Sequence, residues 1–111
     1  MKSLDSLFTY GTLQLGGKSD HYLTKLNGTW KKAYVFGNFV TKSKIAKMGY
    51  PVLKLNQQGK KISGMLFQSK YLMRVIKAID EYEGCYYRRV ITKVYFSNGA
   101  TKEAFIYELA E

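Results

Sequence analysis

Acidic side chains are missing from the middle of this chain. Between His21 and Ile79 there is no aspartate or glutamate, while lysine and arginine recur from Lys25 to Lys77. The formal net charge is +10. Such a field attracts nucleic acid, anionic lipid or small anions. The lysines are scattered among apolar residues and form no block, which fits an ordinary solvated surface equally well. Cysteine is almost absent. Cys85 stands alone, so no internal disulfide and no CxxC metal or redox motif exists. His21 is the single histidine, which excludes a multi-histidine metal centre and a histidine-based triad. Pro51 is the single proline, so no proline-rich linker divides the chain. No apolar run approaches the roughly 20 residues a helix needs to span a bilayer. The opening MKSLDSLFTY is interrupted by Asp5 and does not read as a signal peptide. With these absences, a cytoplasmic location is the default expectation.

What is present suits a folded domain. The 111 residues are enough for one hydrophobic core and too few for two, so residues 1–111 read as a single domain. The 46% apolar content and 10 tyrosines favour a globule over disorder. SLFTYG (Ser6 to Gly11) reads as a short buried strand ending in a glycine turn. GTWKKAYVFGNFV reads as a longer strand, with Gly37 as a bulge or bend. NQQGKK reads as a hairpin turn leading into the strand ISGMLFQ. RRVITKVYF and KEAFIYEL are hairpin arms joined by Asn98-Gly99. Between these strands, Ser69 is a candidate N-cap, and Leu72, Val75, Ile76 and Ile79 recur at the spacing of one helical face. The fold class expected is α+β, a mostly antiparallel sheet curled around or against a helix.

That helix ends on an acid. Steps of three or four residues carry the apolar stripe from Leu72 through Ile76 and Ile79 to Glu83, while Asp80 and Glu81 are expected to face water. Gly84 suits the position after the last helical residue. Partial burial and the negative helix end would both disfavour an ionised Glu83, and Arg88 or Arg89 would oppose them. A carboxyl so placed is suited to exchange a proton near neutral pH. A structural glutamate–arginine pair, or a frayed helix end, fits the periodicity equally well. Near the N-terminus, Tyr10-Gly11-Thr12 at the end of a strand would expose successive backbone N–H groups able to hold a carboxylate or an oxyanion. An ordinary strand-to-loop turn fits those residues too.

Taken together, the segments LFTYGTL (Leu7 to Leu13) and IDEYEGCYYRRVITKV (Ile79 to Val94) resemble the γ-glutamylcyclotransferase-like family, which includes small bacterial members and the plant avirulence-induced proteins. HYL at 21 to 23, GYPVL at 49 to 53 with Tyr50, and ISGMLF look like further family landmarks in the expected order. The resemblance implies a small, mostly antiparallel β-barrel with flanking helices and no cofactor. It implies that Tyr10, Gly11, Thr12, Leu13 and Tyr50 line a substrate pocket and that Glu83 is the catalytic acid and base. Tyr87 with Arg88 or Arg89 would support the site. The activity implied is acyl transfer within the substrate: a γ-glutamyl amide closes to 5-oxoproline and releases a free amine or amino acid. Gln14 departs from the basic residue many members carry there.

Two other classes stay open. One is a basic β-barrel that binds nucleic acid, with lysines on phosphates and the Trp30, Tyr34, Phe36 and Phe39 region stacking on bases. It ranks below a small γ-glutamyl substrate because Glu83 has no task in it, and those aromatics also suit core-facing positions. The other is a non-catalytic anion-binding member of the same fold. Membrane partners are not expected, and the residues are silent on oligomeric state.

Overall fold

The computed structural model describes residues 4–10, 23, 26–40, 53–83 and 87–110, position 83 for its backbone alone. Strands form where β-branched and aromatic residues gather. They are β1 (Ser6–Thr9), β2 (Thr29–Phe39), β3 (Leu53–Leu55), β4 (Lys60–Gln68), β5 (Tyr87–Tyr95) and β6 (Thr101–Leu109). Their order in the sheet is β3-β2-β4-β1-β6-β5. Tyr34 of β2 also pairs with Tyr95 of β5, which closes β2, β4, β1, β6 and β5 into a five-stranded barrel. Neighbours run antiparallel except β1 and β6, which are parallel at Leu7 and Phe105.

Strand alternation divides the sheet into two faces. Phe8, Ala33, Val35, Leu53, Ile62, Leu66, Val94, Ala104 and Ile106 point inward and form one buried cluster. Leu7, Phe67 and Tyr107 point outward. They are covered by Leu72 of a 3-10 turn (Leu72–Arg74) and by Ile76 and Ile79 of α1 (Ile76–Glu83). The helix therefore lies against the outside of the barrel, and the barrel does not curl around it.

Ser69, the expected N-cap, instead braces the turn ahead of the helical stretch, whose N-cap is Tyr71 with no side-chain cap bond. Ser69 Oγ accepts the Tyr71 N–H at 3.1 Å, and the Ser69 carbonyl accepts the Leu72 N–H at 3.1 Å. Nor is the stretch continuous. Val75 departs from helical geometry at φ −114°, between the 3-10 turn and α1. The junction falls at Val75-Ile76, where two β-branched side chains crowd the preceding turn.

Three expectations from the sequence need correction. The Asn56–Gly59 turn is not a hairpin, because β3 and β4 flank β2 on its two sides. The turn instead crosses the end of β2, held by the Asn56 N–H to the Phe36 carbonyl at 3.1 Å. Gly37 is not a bulge either. It stays in register with both Leu55 and Lys60, and Gly59 lies directly on it. A Cβ on Gly59 would sit 2.6 Å from the Gly37 carbonyl oxygen, so the crossing demands glycine. Finally, Trp30, Tyr34 and Phe36 of β2 do not enter the barrel, although Trp30 packs on the outer buried cluster, and Phe39, at the inward parity, meets Tyr10. Inside the lumen β2 places Ala33 and Val35, small enough to share it with Phe8. Trp30, Tyr34 and Phe36 take the alternate outward positions. The Asn98-Gly99 hairpin does form as read, with Gly99 at φ +87°.

Candidate active site

The end of β1, the end of β6 and the start of β5 meet at one mouth of the barrel. The parallel register of Leu7 with Phe105 carries Tyr10 alongside the Tyr107–Glu108 region. There the Tyr10 hydroxyl donates to the Tyr107 carbonyl, and the Tyr10 ring lies between those of Phe8 and Phe39. Across β6, Arg88 is the direct partner of Glu108 and Arg89 that of Tyr107. α1 runs toward this region and ends at Glu83, four positions before Tyr87 opens β5. Of the candidate residues, Tyr10, Tyr87, Arg88 and Arg89 are described, and they lie at one end of the sheet. The Glu83 side chain, Gly11, Thr12, Leu13 and Tyr50 lie outside the described residues, as do His21 and Cys85.

Alternation sends the two arginines to opposite faces. Arg88 shares the inward parity of Val90 and Val94. Its Nε and Nη2 donate to Glu108 Oε1 at 3.0 and 2.9 Å. The second oxygen of Glu108 accepts the Leu55 N–H at 3.0 Å. That carboxylate, 6% exposed, therefore joins edge strand β3 to β5 through a side chain where no backbone ladder connects them. Arg89 goes outward. Its Nε lies 3.2 Å from Asp80 Oδ1, and its guanidinium sits 4.7 Å from the centre of the Phe105 ring. Arg89 Nη1 is enclosed with no hydrogen-bond partner among the described residues. An enclosed cationic donor of this kind is costly unless an acceptor reaches it.

Asp80 is the residue the sequence reading missed. It was expected to face water, yet its Oδ1 also accepts the Tyr107 hydroxyl at 2.6 Å. The periodic signal was there: counting from Ile76, positions i+3, i+4 and i+7 are Ile79, Asp80 and Glu83. Stepping from Ile79 alone passes over it. Asp80 thus ties the last turn of α1 to β5 and β6, one turn before Glu83. Tyr87, expected beside the site, is outward and half-buried, packed with Leu109. Glu108 was likewise not anticipated, because a lone acid in a strand carries no signal until its partners are known.

Of the aromatics considered for base stacking, Phe39 is 52% exposed, and Trp30, Tyr34 and Phe36 are half-buried against neighbouring side chains. The Trp30 ring is 4.9 Å from that of Phe67 beneath the helical layer. Tyr34 stacks on Tyr95 at 5.5 Å, with Phe36 edge-on to both, and Lys61 Nζ lies 4.2 Å over the Tyr34 ring. Among the described residues no three His, Cys, Asp or Glu side chains gather as metal ligands do, and no helix is long and apolar enough to cross a membrane.

A family model described as "Gamma-glutamyl cyclotransferase, AIG2-like" matches residues 7–111. No curated protein matches. Among solved structures, an AIG2-like protein from Mus musculus is 20% identical with a TM-score of 0.67, over 98% of this chain and 79% of that one. A structure titled "Gamma-glutamyl cyclotransferase" is 16% identical with a TM-score of 0.67, over 96% of this chain and 67% of that one. YkqA from Bacillus subtilis is 20% identical with a TM-score of 0.69, over 97% of this chain but only 36% of its own length. At these identities the likeness establishes a shared fold.

Proposed function

Because the chain belongs to the γ-glutamyl cyclotransferase, AIG2-like family, we propose that it converts a γ-glutamyl amide to 5-oxoproline and a free amine. Glu83 is the general acid and base. It takes a proton from the substrate α-ammonium, and the freed nitrogen attacks the γ-carbonyl to form a five-membered ring. The C–N bond to the leaving amine then breaks as Glu83 returns that proton to its nitrogen, and the second proton of the ring nitrogen passes by way of Glu83 to the released amine, which departs as an ammonium. Backbone N–H groups of Gly11, Thr12 and Leu13 hold the glutamyl group and the tetrahedral oxygen. Tyr10 and Tyr50 shape the wall, and holding the substrate bent supplies much of the rate. No step requires a cofactor.

The observation that supports this reading most is the anchoring of the last turn of α1. Asp80 is held by both Tyr107 and Arg89 on the outer face of β6 and β5, at the end of the sheet where β1 reaches Tyr10. The test is release of 5-oxoproline across a panel of γ-glutamyl amides. Glu83→Gln is expected to lower kcat by about 10²–10⁴-fold, the usual contribution of general acid–base catalysis. Its urea unfolding curve should overlay that of the parent. Turnover by Glu83→Gln at the parent rate removes the proposed base.

A further inference from the structure

The outer wall formed by β2 and β4 carries an open hollow of about 480 Å³, a size common among small-molecule sites. Strand register brings Lys32 beside Met65, Tyr34 beside Ser63, and Phe36 beside Lys61 on that face. Ala33 and Gly64 turn toward the lumen, so they line the hollow with backbone. Ser97, just past the end of β5, completes the lining. The hollow therefore lies at the seam of the barrel, where β2 and β5 pair only through Tyr34 and Tyr95. Apart from Ser97, its residues belong to strands that carry none of the candidate active-site residues.

The charge here is of one sign. Among the described residues Lys32 and Lys61 line the hollow and no acid does. The ion pairs of the described residues use Glu108, Asp80 and Asp5, and none involves these two lysines. Lys61 is also aimed. Its Nζ lies 4.2 Å over the Tyr34 ring, which stacks on Tyr95 and meets Phe36 edge-on. That contact holds the ammonium at the wall of the hollow, where a free lysine stem would wander in solvent. Because Tyr34 is already engaged by Tyr95 and Lys61, the hollow offers charge and hydroxyls more than a stacking face.

The geometry points to a binding site for a small phosphate monoester on this outer wall, separate from the barrel mouth. Lysine presents a point charge suited to phosphate, whereas arginine better matches a planar carboxylate, and no arginine lines the hollow. A phosphate monoester carries close to two negative charges at neutral pH, which matches two lysines. The hydroxyls of Ser63 and Ser97 suit its oxygens and the hydroxyls of a sugar-sized body. A nucleic-acid strand fits less well, because the lysines border a bounded hollow and do not track along a groove. A ligand seated there touches β2, β4 and the residue beyond β5, and so ties across the seam.

NMR titration of the full chain at physiological salt is the test. The probes are ribose 5-phosphate, adenosine monophosphate, ribose and a thymidine octanucleotide. Ribose 5-phosphate is expected to shift the amides of Ala33, Gly64 and Ser97 saturably, and ribose is not. Lys32→Gln and Lys61→Gln should each weaken binding about tenfold, the loss of one charge-assisted contact. Lys77→Gln, exposed on α1, should change it by less than about twofold, because distant surface charges are screened. Overlaying urea unfolding curves show that the variants stay folded. Adenosine monophosphate binding tighter than ribose 5-phosphate assigns the site to a nucleotide, and equal or weaker binding assigns it to a sugar phosphate. No saturable shift from either monoester, or an equal loss in Lys77→Gln, overturns the site. Shifts at Tyr87 to Arg89 in place of Ala33 and Gly64 do the same. Octanucleotide binding that exceeds both monoesters and falls in Lys32→Gln also overturns it, in favour of a nucleic-acid interface. Release of 5-oxoproline plays no part in these readouts, so the site stands or falls apart from the function proposed above.

Discussion

The two faces of the barrel wall are built on different principles. Inside, the main cluster is apolar and draws on all six strands, and polar bonds enter only at one end, where buried Glu108 holds Arg88 and the Leu55 N–H. Outside, beneath α1, an apolar patch of Leu7, Phe67, Ile76 and Ile79 shares its surface with Asp80, Tyr107 and Arg89. Apolar burial is non-directional and scales with area, so the interior supplies stability without fixing any single atom. Hydrogen bonds and ion pairs have direction but modest net energy. The outer face uses them at the last turn of α1, where Asp80 meets Tyr107 and Arg89. The lesson is a division of labour between a wall that holds and a face that aims.

Phe8→Ala tests the first half most severely. The ring is 1% exposed at the centre of the lumen, and its removal should cost about 3–5 kcal/mol, read from urea unfolding. A loss under about 1 kcal/mol would mean the interior is not the main source of stability. Asp80→Asn sharpens the second half. It keeps the size and removes the charge that meets Tyr107 and Arg89, so stability should fall by only about 1–2 kcal/mol. Activity should fall disproportionately, in kcat more than in KM, because Glu83 lies one turn further along. If Asp80→Asn destabilises as much as Phe8→Ala, the outer network holds the barrel and the contrast fails.

The smallest effect belongs to Asp5, which stands at the start of β1 between the two faces. Partial burial raises its pKa, but hydrogen bonds from Ser6 and Gln68 and the charge of Lys102 outweigh it, so the carboxyl is held below its ordinary value. A depressed carboxyl contributes stability above its unfolded pKa, about 3.9, and loses it as pH falls through the lower folded value. Asp5→Asn should therefore narrow the gap in thermal midpoint between pH 6 and pH 3 by a small amount. Because Asp5 is partly exposed, the gap should also shrink with added salt.

Much of the fold was legible in local patterns. The strands Ser6–Thr9, Thr29–Phe39, Lys60–Gln68 and the β5–β6 hairpin fall where β-branched and aromatic residues cluster, and Asn98-Gly99 makes the turn its chemistry demands. The partner of each strand was less legible. NQQG looks the same whether it joins neighbours or passes over a third strand, and the signal that distinguished them, Gly37 packing on Gly59, is a contact between positions distant in sequence. The aromatics of β2 misled for a related reason. A strand rich in aromatics declares that both faces are covered in part, and not which face closes on the lumen.

The site divides along the same line. Its chemical types were readable in advance, because Tyr10-Gly11-Thr12 and Asp80 to Arg89 pair a glycine turn with acids, tyrosines and arginines. By itself the sequence determined composition, charge, the alternation that separates Arg88 from Arg89, and the helical period that aligns Asp80 with Ile76. These depend only on backbone geometry within a segment. Which arginine turns into the barrel mouth, and that Glu108 fixes it there by way of β3, was decided only when the strands closed into a barrel. Inside and outside have no meaning for a single strand, and an ion pair exists only when closure brings its two members within bonding distance.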